Sequence, residues 1–358
     1  MRNRSIPGNA FDFIRIVAAF SVLISHSYPL AGLEEIRYGN TTTIGTLGVY
    51  TFFAISGYLI QQSWDRAQNI TSFLVSRFLR IYPGLIACLL VSIALLSLAS
   101  SNSMQEYFFN PKLFRYLLSN LLPIFVQWQD SLPGVFETAI YPNAVNGSLW
   151  SIRYEIFMYF MLLFIIVVSN NSAGMLLAFT VFTVGVWLYG SHIGLKDPSQ
   201  FIWRIQAIEL DKTFLYNLMP FFLVGSILSR FSKNIYRFPF FIIFVILLYQ
   251  FNNSWFSLPL LWTLLPYCVI FLALKLPGPF KNWSRYGDFS FGIYLYAFPI
   301  QQIISNSKLL GDSHIYIVLM SSIVTCIFAY LSWHLVESPS MTIRRRLIIS
   351  LNNCRSKH

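Results

Sequence analysis

The 358 residues are 56 % apolar and 18 % aromatic, and only 11 % carry Asp, Glu, Lys or Arg, against roughly 25 % in an ordinary soluble domain. That balance excludes a disordered chain, a collagen, a coiled coil and a secreted disulfide scaffold, and 34 Phe, 20 Tyr and 9 Trp are too many to hide in one water-surrounded core. The expected solvent is the bilayer, and the net charge of +11 is scattered over short loops, which argues against nucleic acid as a partner.

Apolar runs of about membrane length predict an all-α integral membrane bundle of ten transmembrane helices. They lie at 11–30, 44–62, 82–100, 149–168, 173–190, 214–229, 238–252, 255–274, 289–306 and 313–336. The first run is read as a retained span, because Arg15 and His26 interrupt it and no small-residue cleavage site follows. Residues 112–127 are apolar but short and broken by Pro123, so they predict one re-entrant or interfacial helix. With that assignment, 16 Lys and Arg fall on the inner side and 7 on the outer, which places both termini in the cytoplasm. The domain division is a transmembrane unit, 1–340, and a basic cytoplasmic tail, 341–358. The four cysteines show no metal spacing, and no metal is expected.

Ionisable groups within spans cost about 2.5–3.5 kcal/mol each at a helix centre, so they need a reason. The first span carries Asp12, Arg15 and His26. Eleven steps of 100° bring His26 to within about 20° of Arg15, and Asp12 precedes Arg15 by three residues. All three therefore share one stripe, with Arg15 and His26 about 16 Å apart along the axis. The fourth span carries Arg153 and Glu155, and Glu155 reaches a depth similar to that of His26. The expectation is that His26 and Glu155 meet in one cavity as a general-base pair, the carboxylate stabilising the imidazolium. The alternative is a structural network in which Asp12–Arg15 and Arg153–Glu155 neutralise each other. Before the third span, Arg77 and Arg80 share a helical face, suited to phosphate groups or to lipid headgroups. Polar intramembrane groups also suit a transporter, the rival class.

The Arg15 and His26 spacing resembles the signature of the membrane-bound acyltransferase-3 family. Six further segments resemble it in the same order: FFAISGYLI (52–60), FLVSRFLRIYP (73–83), NGSLWSIRYEIFMY (146–159), FFLVGSILS (221–229), SFGIYLYAFPIQQ (290–302) and LVESP (335–339). One position departs: many relatives have His where this chain has Ala297.

The resemblance implies an integral-membrane O-acyltransferase of the cell inner membrane. It would use cytoplasmic acyl-CoA, most often acetyl-CoA, and act on a carbohydrate acceptor such as an O-antigen or exopolysaccharide sugar. Succinyl or another acyl group is the alternative within the family. Carried over by position, His26 is the catalytic base, with Arg15 and Glu155 as its partners. Arg77 and Arg80, with Asp12, fall on the acyl-CoA side. Trp150, Ser151, Asn146, Arg153 and Tyr294 are the expected acceptor-side residues.

Overall fold

The computed structural model describes residues 9–192, 212–231, 233–307 and 313–355. Each of the ten predicted spans is occupied by a helix. These are α1 (Phe11–Leu30), α2 (Ile44–Ala67), α3 (Ile70–Leu96), α6 (Trp150–Val168) and α7 (Ala173–His192), then α8 (Lys212–Ser229), α9 (Phe238–Gln250), α10 (Ser257–Lys275), α12 (Ser290–Ser307) and α13 (His314–Ser332). Among the described residues, six helical stretches are long and apolar enough to cross a membrane: α1, α2, Ile70–Ala99, α6, α10 and His314–Leu351. The apolar parts of α7, α8 and α9 are shorter. α6 shows what the bilayer does to a helix surface. Met158 and Leu162 are fully buried, while Phe160, Phe164 and Val168 expose 53–67 % of their surface, an apolar face that water would penalise. The molecule is a mostly helical, multi-pass membrane protein.

Between α3 and α6 lie two short helices, α4 (Met104–Phe108) and α5 (Pro111–Leu121). Ser103 and Glu106 form a capping box on α4, and the Asn110 side chain accepts from the Lys112 N–H at the start of α5. α5 stops before Pro123, which cannot continue the hydrogen-bond ladder. Its 11 residues span about 16 Å, half a bilayer core.

α3 begins twelve residues earlier than the predicted third span. Asn69 caps it, its side chain accepting from the Ser72 N–H at 2.8 Å, and the helix runs through Pro83. Tyr82-Pro83-Gly84 reads as a boundary in sequence, but neighbouring helices sustain a proline within a packed membrane helix. Arg77 and Arg80 therefore project from a continuous helix and not from a loop.

The glycines of two sequence motifs have a packing reason. α2 and α8 cross so closely that a Cβ on Gly57 would lie 1.9 Å from the Phe222 carbonyl oxygen, and one on Gly225 would lie 2.2 Å from that of Ala54. At the C-terminus, a π-helical turn (Trp333–Glu337) leads from α13 into α14 (Ser338–Arg355). Residues 341–355 of the expected basic tail thus belong to a helix, and α14 packs along α3. The remaining helix, α11 (Gly278–Lys281), lies in the loop before α12.

Candidate active site

At the end of the bundle where α1 begins, a cavity of about 600 Å³ opens between α1, α2, α3, α6, α12 and α14. Arg15, Arg77, Arg80 and Glu155 all line it. The Arg15 guanidinium lies 3.9 Å from Asp12 and 3.4 Å from Asp288, which also binds Arg80. Arg80 in turn lies 3.8 Å from Glu337. Burial raises the Asp288 carboxyl, but Arg80, Arg15 and the Ser290 hydroxyl together outweigh it and hold the group below the ordinary carboxylate range. Glu155 accepts hydrogen bonds from the Ser56 hydroxyl at 2.6 Å and from the Tyr159 hydroxyl. The Arg77 guanidinium lies over the rings of Phe73 and Tyr159, 5.9 and 5.8 Å from their centroids.

At the end where α1 finishes, a second cavity of about 530 Å³ holds His26. The imidazole stands edge-on to Phe298, with centroids 5.1 Å apart, and its Nδ1 is buried with no hydrogen-bond partner among the described residues. Glu35 lines the same cavity and accepts from the Ser25 hydroxyl at 2.6 Å, one residue before His26. The loop carrying Glu35 is fixed by a small hairpin, β1 (Arg37–Tyr38) against β2 (Thr42–Thr43), with Arg37 opposite Thr43. The wall also carries the aromatic side chains Trp128, Tyr141, Trp150 and Tyr154 and the carboxylate of Asp130. Burial raises the Asp130 carboxyl above its ordinary range. Arg153 also lines this cavity, but its guanidinium donates to the Pro123 carbonyl at 3.1 and 2.7 Å and lies over Trp128. It ties the turn after α5 to α6.

His26 and Glu155 do not share a pocket. Val49 and Tyr294 line both cavities and stand between them. The Tyr294 hydroxyl is 2.6 Å from the Ser151 hydroxyl, on the same face of α6 as Glu155 four residues on. Rise per residue fixes the depth of a side chain but not the direction in which its helix turns it, and that direction separates the expected pair. The same rule separates Arg153 from Glu155. Two residues subtend 200°, so one faces each cavity and they do not neutralise each other. Asp12 and Arg15, three apart, do pair. Asp12 lies behind Arg15 and is not part of the cavity wall, and Asn146 also lies outside both cavities. The Asn146 side chain is buried, donating to the Leu295 carbonyl at 2.8 Å and accepting from the Ser148 N–H. It pins the start of α6 to α12. Ser151 sits on the Arg15 side and Trp150 on the His26 side.

An acyltransferase domain model matches residues 9–334. The chain belongs to the acyltransferase-3 family. It is 28 % identical over 341 residues to the O-acetyl transferase of Shigella phage Sf6, covering 93 % of this chain and 96 % of that protein. It is 25 % identical to Nodulation protein 10 of Rhizobium leguminosarum bv. viciae, over 95 % of each chain. It is 23 % identical to the peptidoglycan O-acetyltransferase OatA of Listeria monocytogenes serovar 1/2a, over 82 % of this chain and 51 % of that longer protein. No solved structure matches the chain. The family decides between the two sequence readings: the protein is an O-acyltransferase and not a transporter.

In this acyltransferase, sequence reasoning passed over three carboxylates. Glu35 and Asp130 lie in loops, where a charge is ordinary in a sequence and draws no attention, and only the fold brings them to the cavity of His26. Asp288 stood in a boundary loop, yet it joins Arg15 to Arg80. Ala297 is buried in α12. Its neighbour Tyr296 packs against Phe328, 5.6 Å between centroids, which leaves Tyr294 as the α12 hydroxyl that reaches both cavities.

Proposed function

We propose that this enzyme moves an acetyl group from cytoplasmic acetyl-CoA to a hydroxyl of a cell-surface carbohydrate, with an O-antigen or exopolysaccharide sugar as the acceptor class. The observation that carries the reading is the pair of cavities entering the bundle from opposite ends and divided by Tyr294 and Val49. One is rich in guanidinium groups, as a phosphate-bearing donor requires. The other offers an imidazole among aromatic rings, which suit stacking and hydrogen bonding to a sugar. The acetyltransferase names of two relatives support the choice of acyl group. In this reading ten helices span the inner membrane, both termini are cytoplasmic, and the arginine cavity faces the cytoplasm.

The donor enters with its phosphates among Arg77 and Arg80, and its thioester passes Arg15 toward Tyr294. His26 takes the proton of the acceptor hydroxyl as the oxygen attacks the thioester carbonyl. The new C–O bond forms, the C–S bond breaks, and the proton returns to the departing CoA sulfur. Glu35 takes the place expected of Glu155, stabilising the imidazolium from within the same cavity. Glu155, held by Ser56 and Tyr159, shapes the donor side instead.

The test is transfer of radiolabelled acetyl from acetyl-CoA by purified protein to a de-O-acetylated surface polysaccharide. A positioned base contributes about 10²–10⁴-fold to rate. The variant His26→Ala should lose at least that factor while eluting as the folded protein. Unimpaired transfer by that variant removes His26 from the chemistry. Absence of any transfer by the native enzyme removes acetyl-CoA as donor.

A further inference from the structure

The arginine cavity holds more cationic charge than the third helix supplies. Six arginines line it, Arg15, Arg66, Arg77, Arg80, Arg344 and Arg345, against the carboxylates Glu155 and Asp288. Arg15 and Arg80 are engaged by acidic partners, whereas Arg66, Arg77, Arg344 and Arg345 form no ion pair among the described residues. The Nε of Arg77 is buried without a hydrogen-bond partner among the described residues. Like charges gathered around an enclosed space repel one another, so the arrangement favours a polyanionic occupant.

α14 delivers two of these groups in a specific register. Met341, Arg344, Arg345, Ile348 and Ile349 all line the cavity. Their spacing of three, four, seven and eight residues is one face of a helix. Arg346, in the same basic run, is two steps from Arg344 and does not line the cavity; Arg344 is half-buried, and Arg345 and Arg346 are both exposed. A mere topology signal would make no distinction among three consecutive arginines. The face pairs guanidiniums with apolar side chains, which suits a ligand carrying both phosphates and a planar ring.

We propose that α14 forms a wall of the donor site, and that Arg344 and Arg345, with Arg66 opposite, bind the phosphates at the nucleotide end of the thioester donor. The proposal rests on the reading that the donor enters by this cavity. Arg77 and Arg80 then hold phosphates deeper in, and the C-terminal helix sets donor affinity without touching the acyl group.

The experiment measures binding of adenosine 3′,5′-bisphosphate to the purified full-length protein by calorimetry, in neutral detergent and again in nanodiscs rich in phosphatidylglycerol. Acetyl-CoA kinetics are measured in parallel. The double variant R344A/R345A should weaken bisphosphate binding about tenfold or more, and R346A should change it by less than twofold. The double variant should raise KM for acetyl-CoA with kcat retained, and should narrow the preference for acetyl-CoA over its 3′-dephospho analogue. Equal weakening by R344A/R345A and R346A would reduce the effect to net charge and overturn the proposal. Full displacement of the bisphosphate by phosphatidylglycerol would assign the arginines to lipid headgroups and overturn it as well. Native protein that binds the bisphosphate through these arginines but transfers no acetyl would support the site and contradict the proposed reaction. Acetyl transfer unimpaired in the double variant would support the reaction and contradict the site.

Discussion

The two cavities of this acyltransferase are similar in size and opposite in chemistry. The one beneath the start of α1 is built from helices and the loop that carries Asp288, and its charged groups are six arginines, of which Arg15 and Arg80 are linked through Asp288, with Glu155 beside them. The one at the far end of α1 is completed by loops, and its ionisable groups are an imidazole, two carboxylates and the arginine that braces the turn after α5. A rigid cationic pocket suits a ligand of invariant shape, such as a nucleotide. A pocket closed by the loop and hairpin after α1 and by the segment between α5 and α6 suits a variable acceptor, because loops change without disturbing the bundle.

Exchanging the two glutamates breaks this comparison most sharply. Glu35→Gln should lower kcat about 10–100-fold with KM for acetyl-CoA unchanged, because it removes the carboxylate beside the base. Glu155→Gln should act mainly on donor KM, by several-fold, because it loosens Ser56 and Tyr159 beneath Arg77. Steady-state kinetics with each substrate varied separately distinguish these outcomes. The opposite pattern would restore Glu155 as the partner of His26.

A smaller effect sharpens the donor side. Asp288→Asn removes the carboxylate shared by Arg15 and Arg80. It should raise donor KM by about fivefold, equivalent to about 1 kcal/mol for a partly buried ion pair. Because Asp288 is held below its ordinary range, the link is complete above the unfolded carboxylate pKa and is lost only as pH falls through the lower folded value. The native enzyme and the variant should therefore show parallel pH–rate profiles near neutrality. Profiles that diverge there would contradict the assignment.

The helices were legible in sequence because long apolar runs mark them: all ten predicted stretches are helical, and six helical stretches among the described residues are long and apolar enough to cross a membrane. Boundaries were less legible where a proline sits inside a helix, as at Pro83. The stripe of Asp12, Arg15 and His26 followed from helical periodicity, and the Asp12–Arg15 contact is present. The pairing of His26 with Glu155 did not follow, since two helices of known depth can still turn their side chains apart. Glu35 carried no sequence signal, because a loop carboxylate has no desolvation cost to explain. Arg344 and Arg345 did carry one: Met341, Ile348 and Ile349 mark the same face, an amphipathic pattern obscured by reading the segment as a tail.

In the proposed reaction, donor and acceptor approach from opposite faces and meet across Tyr294. Oriented proteoliposomes test it directly, with acetyl-CoA supplied only on the face bearing the C-terminus and a de-O-acetylated O-antigen oligosaccharide only on the other. Acetylated oligosaccharide should form on the acceptor face, with free CoA released on the donor face. Product formed only when both substrates are on the same face would contradict it.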